Sequence, residues 1–345
     1  MPEPKPKLII IVVNWNRKAL LSRCLHSLKL HLCFPYEVVV VDNGSTDGSC
    51  ELLKKEFPEA RVIENKENVG FARANNQALN YLRDAGLKAN YLLFLNNDVV
   101  LKDDSFQKLI DFMDEEPGVM ASCPAVFIAE NLPQVGVGGF EPTLYHVFNY
   151  AFFLSRLFPP YFPGIFINQP YYLKRQRKQR RKWRRGRVRP RPVVRPVEVD
   201  WVSGVCLLSR FSLWEKVAGW PEISFMYAED IALGKEIRKW GKVVYFPGTK
   251  VYHVKEVRDT PGVRWLESLE FYLRKGLGAG RWKIFLAKMM LWLGYELRAL
   301  GYWLKPRWRQ ERAYSFQVVK EACSYLRASL CSISNSNCLG RRKAK

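Results

Sequence analysis

Residues 8–16 read LIIIVVNWN, residues 37–47 read EVVVVDNGSTD, and residues 91–101 read YLLFLNNDVVL. Each holds an unbroken apolar run of strand length that turns abruptly to Asn, Asp or Ser. A run that is apolar on both faces suits a strand covered on both sides. Between these runs lie stretches with helical apolar spacing: Lys18–Leu30, with Leu20, Leu21, Leu25 and Leu28 on one face, then Ser49–Phe57 and Phe71–Ala85. Arg61–Glu64 adds a short strand. The alternation predicts an α/β class, a mostly parallel mixed sheet flanked by helices. Right-handed crossovers would bring the loops that follow the strands to one edge. Open α/β sheets bind their ligands at that edge.

The loops expected there are Asn14-Trp15-Asn16, Asp42 to Asp47, Asn65 to Gly70 and Asn96-Asn97-Asp98. Any one of them could be an ordinary turn or helix cap, because Asp, Asn, Ser and Gly serve both. Together they predict a polar site. Asp98, set between two apolar runs, offers the hard oxygen that Mg²⁺ or Mn²⁺ takes, and a diphosphate leaving group needs such positive charge. Glu229 and Asp230 open a predicted helix, Ala228–Trp240. Acids there are favoured by the helix dipole alone, and an Asp beside a reacting hydroxyl also serves as a general base. His253 closes FPGTKVYHV and reads equally as a metal ligand or an edge-strand residue.

The chain has 345 residues, 48% of them hydrophobic, enough for one large α/β domain with a tail. The 26% of charged residues exclude a wholly membrane-embedded protein. Net charge is +22, and 13 Lys or Arg without any acid lie between 174 and 195. Such a tract favours anionic lipid or phosphorylated ligands. It carries no nucleic-acid reading motif, so no nucleic-acid partner is expected. The eight cysteines form no C-x-x-C pair, which suits reduced thiols in a cytoplasmic setting. The apolar run Leu8–Val13 is too short for a secretion signal.

Residues 133–196 read as irregular, rich in Pro, Gly and aromatics before the basic tract. Ile284–Leu304 is apolar but interrupted by Lys288, Glu296 and Arg298. Charges at such depth are costly in a bilayer. An amphipathic helix in the membrane interface is expected instead, anchored by Trp282, Trp292, Tyr295, Tyr302, Trp303 and Trp308. The alternative is a helix packed on the protein. The expected division is a catalytic domain over 1–265, with an irregular, basic insertion at about 131–197, and a membrane-associating helical region over 266–345.

Seven segments in order carry a resemblance: IIIVVNWNR, VVVVDNGSTDGS, NKENVGFARANN, YLLFLNNDVVL, VDWVSGVCLLSR, SFMYAEDIALGKEIRKWG and VVYFPGTKVYHV. They span roughly Leu8 to Val254 and resemble the family 2 inverting glycosyltransferases of GT-A fold, in the bacterial rhamnosyltransferase-like branch. The resemblance implies the following roles. Asn14, Trp15, Asp42, Arg73 and Asn97 would bind the donor nucleotide. Asp98 and His253 would hold Mg²⁺ or Mn²⁺. Asp230 would be the catalytic base, with Glu229 as its companion, and Trp201, Ser203 and Gly204 would line the sugar and acceptor pocket. The chain departs from the pattern in two places. It has Asn96-Asn97-Asp98 where the motif has two carboxylates, and Tyr252-His253 where the branch often has two histidines.

The expected activity is metal-assisted sugar transfer from a nucleotide-diphosphate donor of UDP, dTDP or GDP type. The acceptor would be a hydroxyl of a glycan or lipid-linked molecule, in cell-envelope or exopolysaccharide biosynthesis. The enzyme would work as a peripheral protein on the cytoplasmic face of the membrane, against an anionic surface. A sugar nucleotidyltransferase would need a Gly-rich loop after the first strand, and Asn14-Trp15-Asn16-Arg17 has no glycine. The other alternative is an inert glycosyltransferase-like scaffold or membrane-binding protein. It would be expected to lack Asp98 or Asp230, and both are present.

Overall fold

The computed structural model describes residues 6–184, 195–223, 226–254, 263–304 and 313–342. The chain forms two compact units, residues 1–139 with 167–258 and residues 140–166 with 259–345.

The first unit begins with β1 (Leu8–Asn14), α1 (Lys18–His31), β2 (Tyr36–Asp42), α2 (Ser49–Glu56), β3 (Arg61–Glu64), α3 (Phe71–Asp84) and β4 (Tyr91–Asn96). Then come β5 (Val99–Val100), α4 (Gln107–Glu115), β6 (Val119–Ala129), β7 (Leu132–Pro133) and β8 (Gly138–Gly139). The sheet order β3-β2-β1-β4 is wholly parallel. Its central strands are solvent-free from Ile9 to Val12, from Val39 to Val41 and from Leu92 to Phe94, because helices cover both faces.

The second unit contributes α5 (Leu144–Ala151) and the short α6 (Leu154–Leu157). The chain then re-enters the first unit with α7 (Gln169–Arg184), β9 (Val197–Val199), β10 (Trp201–Val202), β11 (Cys206–Arg210), α8 (Glu229–Ile237) and β12 (Lys242–His253). β11 lies antiparallel between β4 and β6, which makes the sheet mixed.

One local expectation fails. Among the described residues of 133–196 lie three helices. α7 was invisible to an apolar-period search because its charged face dominates, yet Lys, Arg and Gln are good helix formers. Val243–Phe246 and Lys250–His253 belong to the single strand β12, which has a register shift between Phe246 and Lys250. Pro247 lacks an N–H for the ladder, so a bulge there is the natural solution.

α8 rests closely on β10. A Cβ at Gly234 would lie 2.5 Å from the Asp200 carbonyl oxygen and 2.6 Å from the Trp201 Cβ. Helix propensity favours Ala over Gly by about 1 kcal/mol, whereas overpacking costs about 1–3 kcal/mol. Backbone cannot yield as a flexible side chain can. Gly234→Ala is therefore expected to lower the melting temperature; an unchanged or higher one would show that α8 can lift off β10.

The second unit continues with α9 (Arg264–Phe271), extended by a π-type turn over Tyr272–Gly276, then α10 (Arg281–Leu304) and α11 (Ala313–Arg342). α10 packs Ile284, Ala287, Leu291 and Tyr295 into this unit's core, together with Val319 and Leu326 of α11. Its charges are answered by protein. Buried Lys288 pairs with Glu270 and donates to Ser329. Arg298 donates to the carbonyls of Tyr150, Ala151 and Gly294 and lies over the rings of Tyr150, Phe153 and Tyr295. Glu296 accepts from the Trp292 indole and from Arg327.

Lys288, Glu296 and Arg298 of α10 thus turn toward protein, while Arg281, Lys283, Leu293, Leu297, Leu300 and Leu304 stand exposed. The expected anchors divide accordingly. Trp282 and Trp303 are exposed, but Trp292, Tyr295 and Tyr302 pack into or against the core. Trp308 lies outside the described residues. Among the described residues, no helix is long and apolar enough to cross a membrane.

Candidate active site

Three parallel strand ends build the floor of the site. β1 and β2 pair so that Asn14 stands beside Asp42, and β1 pairs with β4 so that Val13 stands beside Asn96. The Asn14 amide bridges the three ends. Its Nδ2 donates to Asp42 Oδ2 at 2.9 Å and to Ser45 Oγ at 3.2 Å, and its Oδ1 accepts from Asn97 Nδ2 at 2.7 Å. The other Asp42 oxygen accepts from the Ser45 N–H at 2.7 Å, closing the turn after β2. Asn14 and Asp42 are buried, so their mutual hydrogen bonds offset the loss of water.

Trp15 stands in the loop above, 52% exposed. Its neighbour Asn16 has φ 50, a left-handed conformation that Asn tolerates. Asn16 is tied to the second loop through Thr46 N, 2.7 Å from its Oδ1, and through its own N–H to Ser45 Oγ at 2.9 Å. Sequence reasoning missed Ser45 as the link between the loops, since a serine in a turn carries no distinguishing signal.

Asp98 sits between β4 and β5. Antiparallel pairing of β5 with β12 sets His253 opposite Val99, and Val254 N–H donates to the Asp98 carbonyl at 2.8 Å. That register delivers His253 Nε2 to 2.7 Å from Asp98 Oδ1. Both side chains are largely shielded from solvent, yet the approach lacks hydrogen-bond geometry and Oδ1 has no hydrogen-bond partner. A buried carboxylate oxygen left unpaired is costly. An imidazole nitrogen and a carboxylate oxygen so placed fit a shared divalent cation.

Among the described residues, no group of three or more His, Cys, Asp and Glu converges. Two protein ligands still suffice for Mg²⁺ or Mn²⁺, since such ions commonly fill their shell with water and substrate phosphate oxygens.

Glu229 and Asp230 occupy the first turn of α8. Tyr227 and Ala228 precede them with φ 70 and 65, a left-handed pair with no glycine. Such strain costs on the order of 1–3 kcal/mol per residue and gathers at functional sites. Asp230 is part-exposed, and its Oδ1 accepts from Ile231 N at 2.9 Å. Glu229 is buried, with Oε2 unpaired. Burial pushes Asp230 up to about 7, opposed by backbone hydrogen bonds. Burial, reinforced by the neighbouring Asp230 charge, pushes Glu229 up to about 8. A carboxylate raised this far is a better proton acceptor than an ordinary one.

The remaining candidates surround α8 and the start of α3. Trp201 is buried under Gly234. Gly204 faces the Phe71 ring and Trp220 so closely that a Cβ would come within 2.9 Å of the former. Ser203 Oγ is buried and accepts from Val205 N at 3.3 Å. Arg73 is exposed on α3 and pairs at 3.5 Å with Glu222, which lies in the chain leading to α8. The structure thus joins Asn14, Asp42, Asn97, Asp98 and His253 through a floor of paired strands. Trp201, Gly204 and Arg73 lie along contacts that lead to α8. Among the described residues, no hydrogen bond joins Glu229 or Asp230 to Asp98 or His253. A further missed residue is Gln134, whose Oε1 lies 2.7 Å from His253 Nδ1. It sits in the stretch read as irregular and gave no signal.

Residues 9–215 match the family described as Glycosyl transferase family 2. The chain belongs to glycosyl transferase family 2. It is therefore a glycosyltransferase, rhamnosyltransferase-like as its sequence implies, and the match takes in the first five of the seven segments. An N-acetylglucosaminyl-diphospho-decaprenol L-rhamnosyltransferase of Mycobacterium tuberculosis is 28% identical over 263 residues, covering 72% of this chain and 76% of that protein. A poly(ribitol-phosphate) beta-glucosyltransferase of Bacillus spizizenii is 31% identical over 116 residues, 32% of this chain and 17% of that one. Among solved structures, a mannosyltransferase from Pyrobaculum calidifontis in complex with GDP-Man and Mn²⁺ matches with a TM-score of 0.55 at 14% identity, covering 95% of this chain and 87% of that chain. This family 2 glycosyltransferase has the GT-A fold expected from its sequence.

Proposed function

We propose that the enzyme transfers a sugar, with inversion, from a nucleotide-diphosphate donor to a hydroxyl of a glycan or lipid-linked acceptor in cell-envelope biosynthesis. The observation that carries this reading is the Asp98–His253 pair, set at the edge of the Asn14–Asp42–Asn97 network with a buried carboxylate oxygen that lacks a hydrogen-bond partner. The M. tuberculosis relative, whose name specifies a lipid-linked acceptor and a rhamnosyl group, supports the acceptor class.

In this reading Asn14, Trp15, Asp42, Arg73 and Asn97 hold the donor nucleotide, with Trp15 offering a ring face to the base. Asp98 and His253 hold Mg²⁺ or Mn²⁺, which would neutralise charge on the departing diphosphate. Trp201, Ser203 and Gly204 wall the sugar and acceptor pocket, and the missing side chain at Gly204 lets the rings of Phe71 and Trp220 pack against that wall. Asp230 takes the proton from the acceptor hydroxyl as its oxygen attacks the anomeric carbon. The bond from that carbon to the diphosphate oxygen breaks, and the diphosphate leaves with the electron pair. Attack opposite the leaving group inverts the anomeric centre. Burial favours the protonated form of Glu229, and the part-exposed Asp230 is the better placed of the two to carry charge. A screen of UDP-, dTDP- and GDP-sugars, with Mn²⁺ and with chelator, is expected to give one donor class turned over only with metal. Equal turnover of that donor in chelator would sink the metal-assisted reading.

The membrane is the proposed second partner, with the enzyme peripheral on its cytoplasmic face. The exposed row Leu293, Leu297, Leu300 and Leu304, with Trp303, supports this. So do the exposed Lys174, Arg175, Arg177, Lys178 and Arg181 of α7. Basic residues close to an anionic surface contribute about 1 kcal/mol each, screened by salt. Apolar burial adds a salt-insensitive part. Flotation with anionic liposomes is expected to show binding that falls only partly in high salt. Replacing Lys174, Arg177, Lys178 and Arg181 with Gln should remove the salt-sensitive part. The triple change Leu297→Ser, Leu300→Ser and Trp303→Ser should remove the remainder. Protein that stays wholly unbound at low salt would end this proposal.

A further inference from the structure

His253 enters the site with one ring nitrogen already committed. Its Nδ1 lies 2.7 Å from Gln134 Oε1. A carbonyl oxygen can only accept, so the ring proton belongs on Nδ1 and Nε2 keeps its lone pair. That lone pair has Asp98 Oδ1 at 2.7 Å. Oδ1 has no hydrogen-bond partner and only Nε2 beside it. Two acceptors therefore approach each other, an arrangement that a cation relieves.

Gln134 is itself held firmly. It is 5% exposed, its N–H donates to the Val126 carbonyl at 3.0 Å, and its own carbonyl accepts from Gln169 Nε2 at 2.7 Å. Gln169, solvent-free at the first position of α7, uses its whole hydrogen-bonding capacity. Nε2 donates to Gln134 and Val126, while Oε1 accepts from Val126 N at 3.1 Å and from the Tyr245 hydroxyl at 2.9 Å. A buried amide satisfied at every position gives one orientation.

We propose that Gln134 is a positioning residue. It fixes the Nδ1–H tautomer of His253 and aims Nε2 at the cation shared with Asp98, and Gln169 locks it in place. The inference rests on the cation reading above. It means that the seat of the basic helix α7 and the cation site share one buried hydrogen-bond chain. Partners of ligating histidines typically matter 10–100-fold in metal affinity.

The test uses full-length, metal-free protein labelled with ¹⁵N-histidine, with the His253 signals assigned by their loss in His253→Gln. The wild type is expected to show the Nδ1–H tautomer. Gln134→Leu is expected to lose that tautomer and, by electron paramagnetic resonance with Mn²⁺ alone, to bind about 10–100-fold more weakly. Gln134→Glu, which keeps an acceptor, should retain the wild-type tautomer. Should the Leu variant fail to fold, Gln134→Met supplies the same comparison. An Nε2–H tautomer in the wild type, or a folded Leu or Met variant with wild-type tautomer and affinity, would overturn the proposal. Wild-type protein that binds Mn²⁺ no better than His253→Gln would remove the cation reading instead, and the nitrogen spectrum would still decide the role of Gln134.

Discussion

Asp230→Asn is expected to leave donor binding near the wild-type level and to reduce turnover by roughly 10²–10⁴-fold, the usual range for a lost general base. The amide keeps the shape of the carboxylate and can still accept the 2.9 Å hydrogen bond from Ile231 N. It cannot take a proton from the acceptor. Glu229→Gln should be milder, because Glu229 is buried and its burial favours the protonated form. Single-turnover rates beside donor titrations separate the two effects. If Glu229→Gln proves the more damaging change and Asp230→Asn stays active, the base has been assigned to the wrong carboxylate.

Both carboxyls also make stability depend on pH. Their folded pKa values lie above their unfolded ones, so the folded state binds more protons. Their contribution is complete below the ordinary carboxylate range and is lost as pH rises through about 7 and about 8. Activity should run the other way, rising as Asp230 loses its proton. Glu229→Gln is therefore expected to flatten the fall in melting temperature between mildly acidic and mildly alkaline pH. A fall as steep as that of the wild type would place the titrating group elsewhere.

Asp98→Ala is expected to abolish transfer and to bring donor affinity in Mn²⁺ down to its value in chelator. Asp98 brings the carboxylate of the cation pair, and His253 alone is a single neutral ligand. A divalent ion with one protein ligand would depend almost wholly on the donor diphosphate. The floor should survive the change, because Asn14, Asp42 and Asn97 are bonded to one another and Asp98 meets β12 through its backbone carbonyl. Calorimetric titration of the donor with and without Mn²⁺ is the measurement. Metal-dependent affinity that persists in the variant would end the assignment of Asp98 as a ligand.

The sequence by itself determined the first half of the sheet and its floor. Runs such as Leu8–Val13 and Val38–Val41 have no polar face, so only strands buried on both sides accommodate them. The polar residues that end them had to collect at one edge because parallel crossovers have one hand. Asn14, Asp42, Asn97 and Asp98 were therefore legible from position alone. Glu229 and Asp230 were legible as acids at a helix start, though neither the left-handed turn at Tyr227 and Ala228 nor the burial of Glu229 was.

What only the tertiary structure decided depends on pairing between distant segments. Antiparallel pairing of β5 with β12 brings His253 to Asp98, and nothing local to either residue encodes that register. Gln134 matters only because β7 and the start of α7 meet around Val126. The direction in which α10 turns its charges was equally hidden. Lys288 and Arg298 look like interruptions of an apolar run, yet they point at Glu270 and at the carbonyls of Tyr150 and Ala151. Periodicity reports which residues share a face. Which face is covered depends on partners supplied by the rest of the chain, and burial of a charge is tolerable only where those partners meet it.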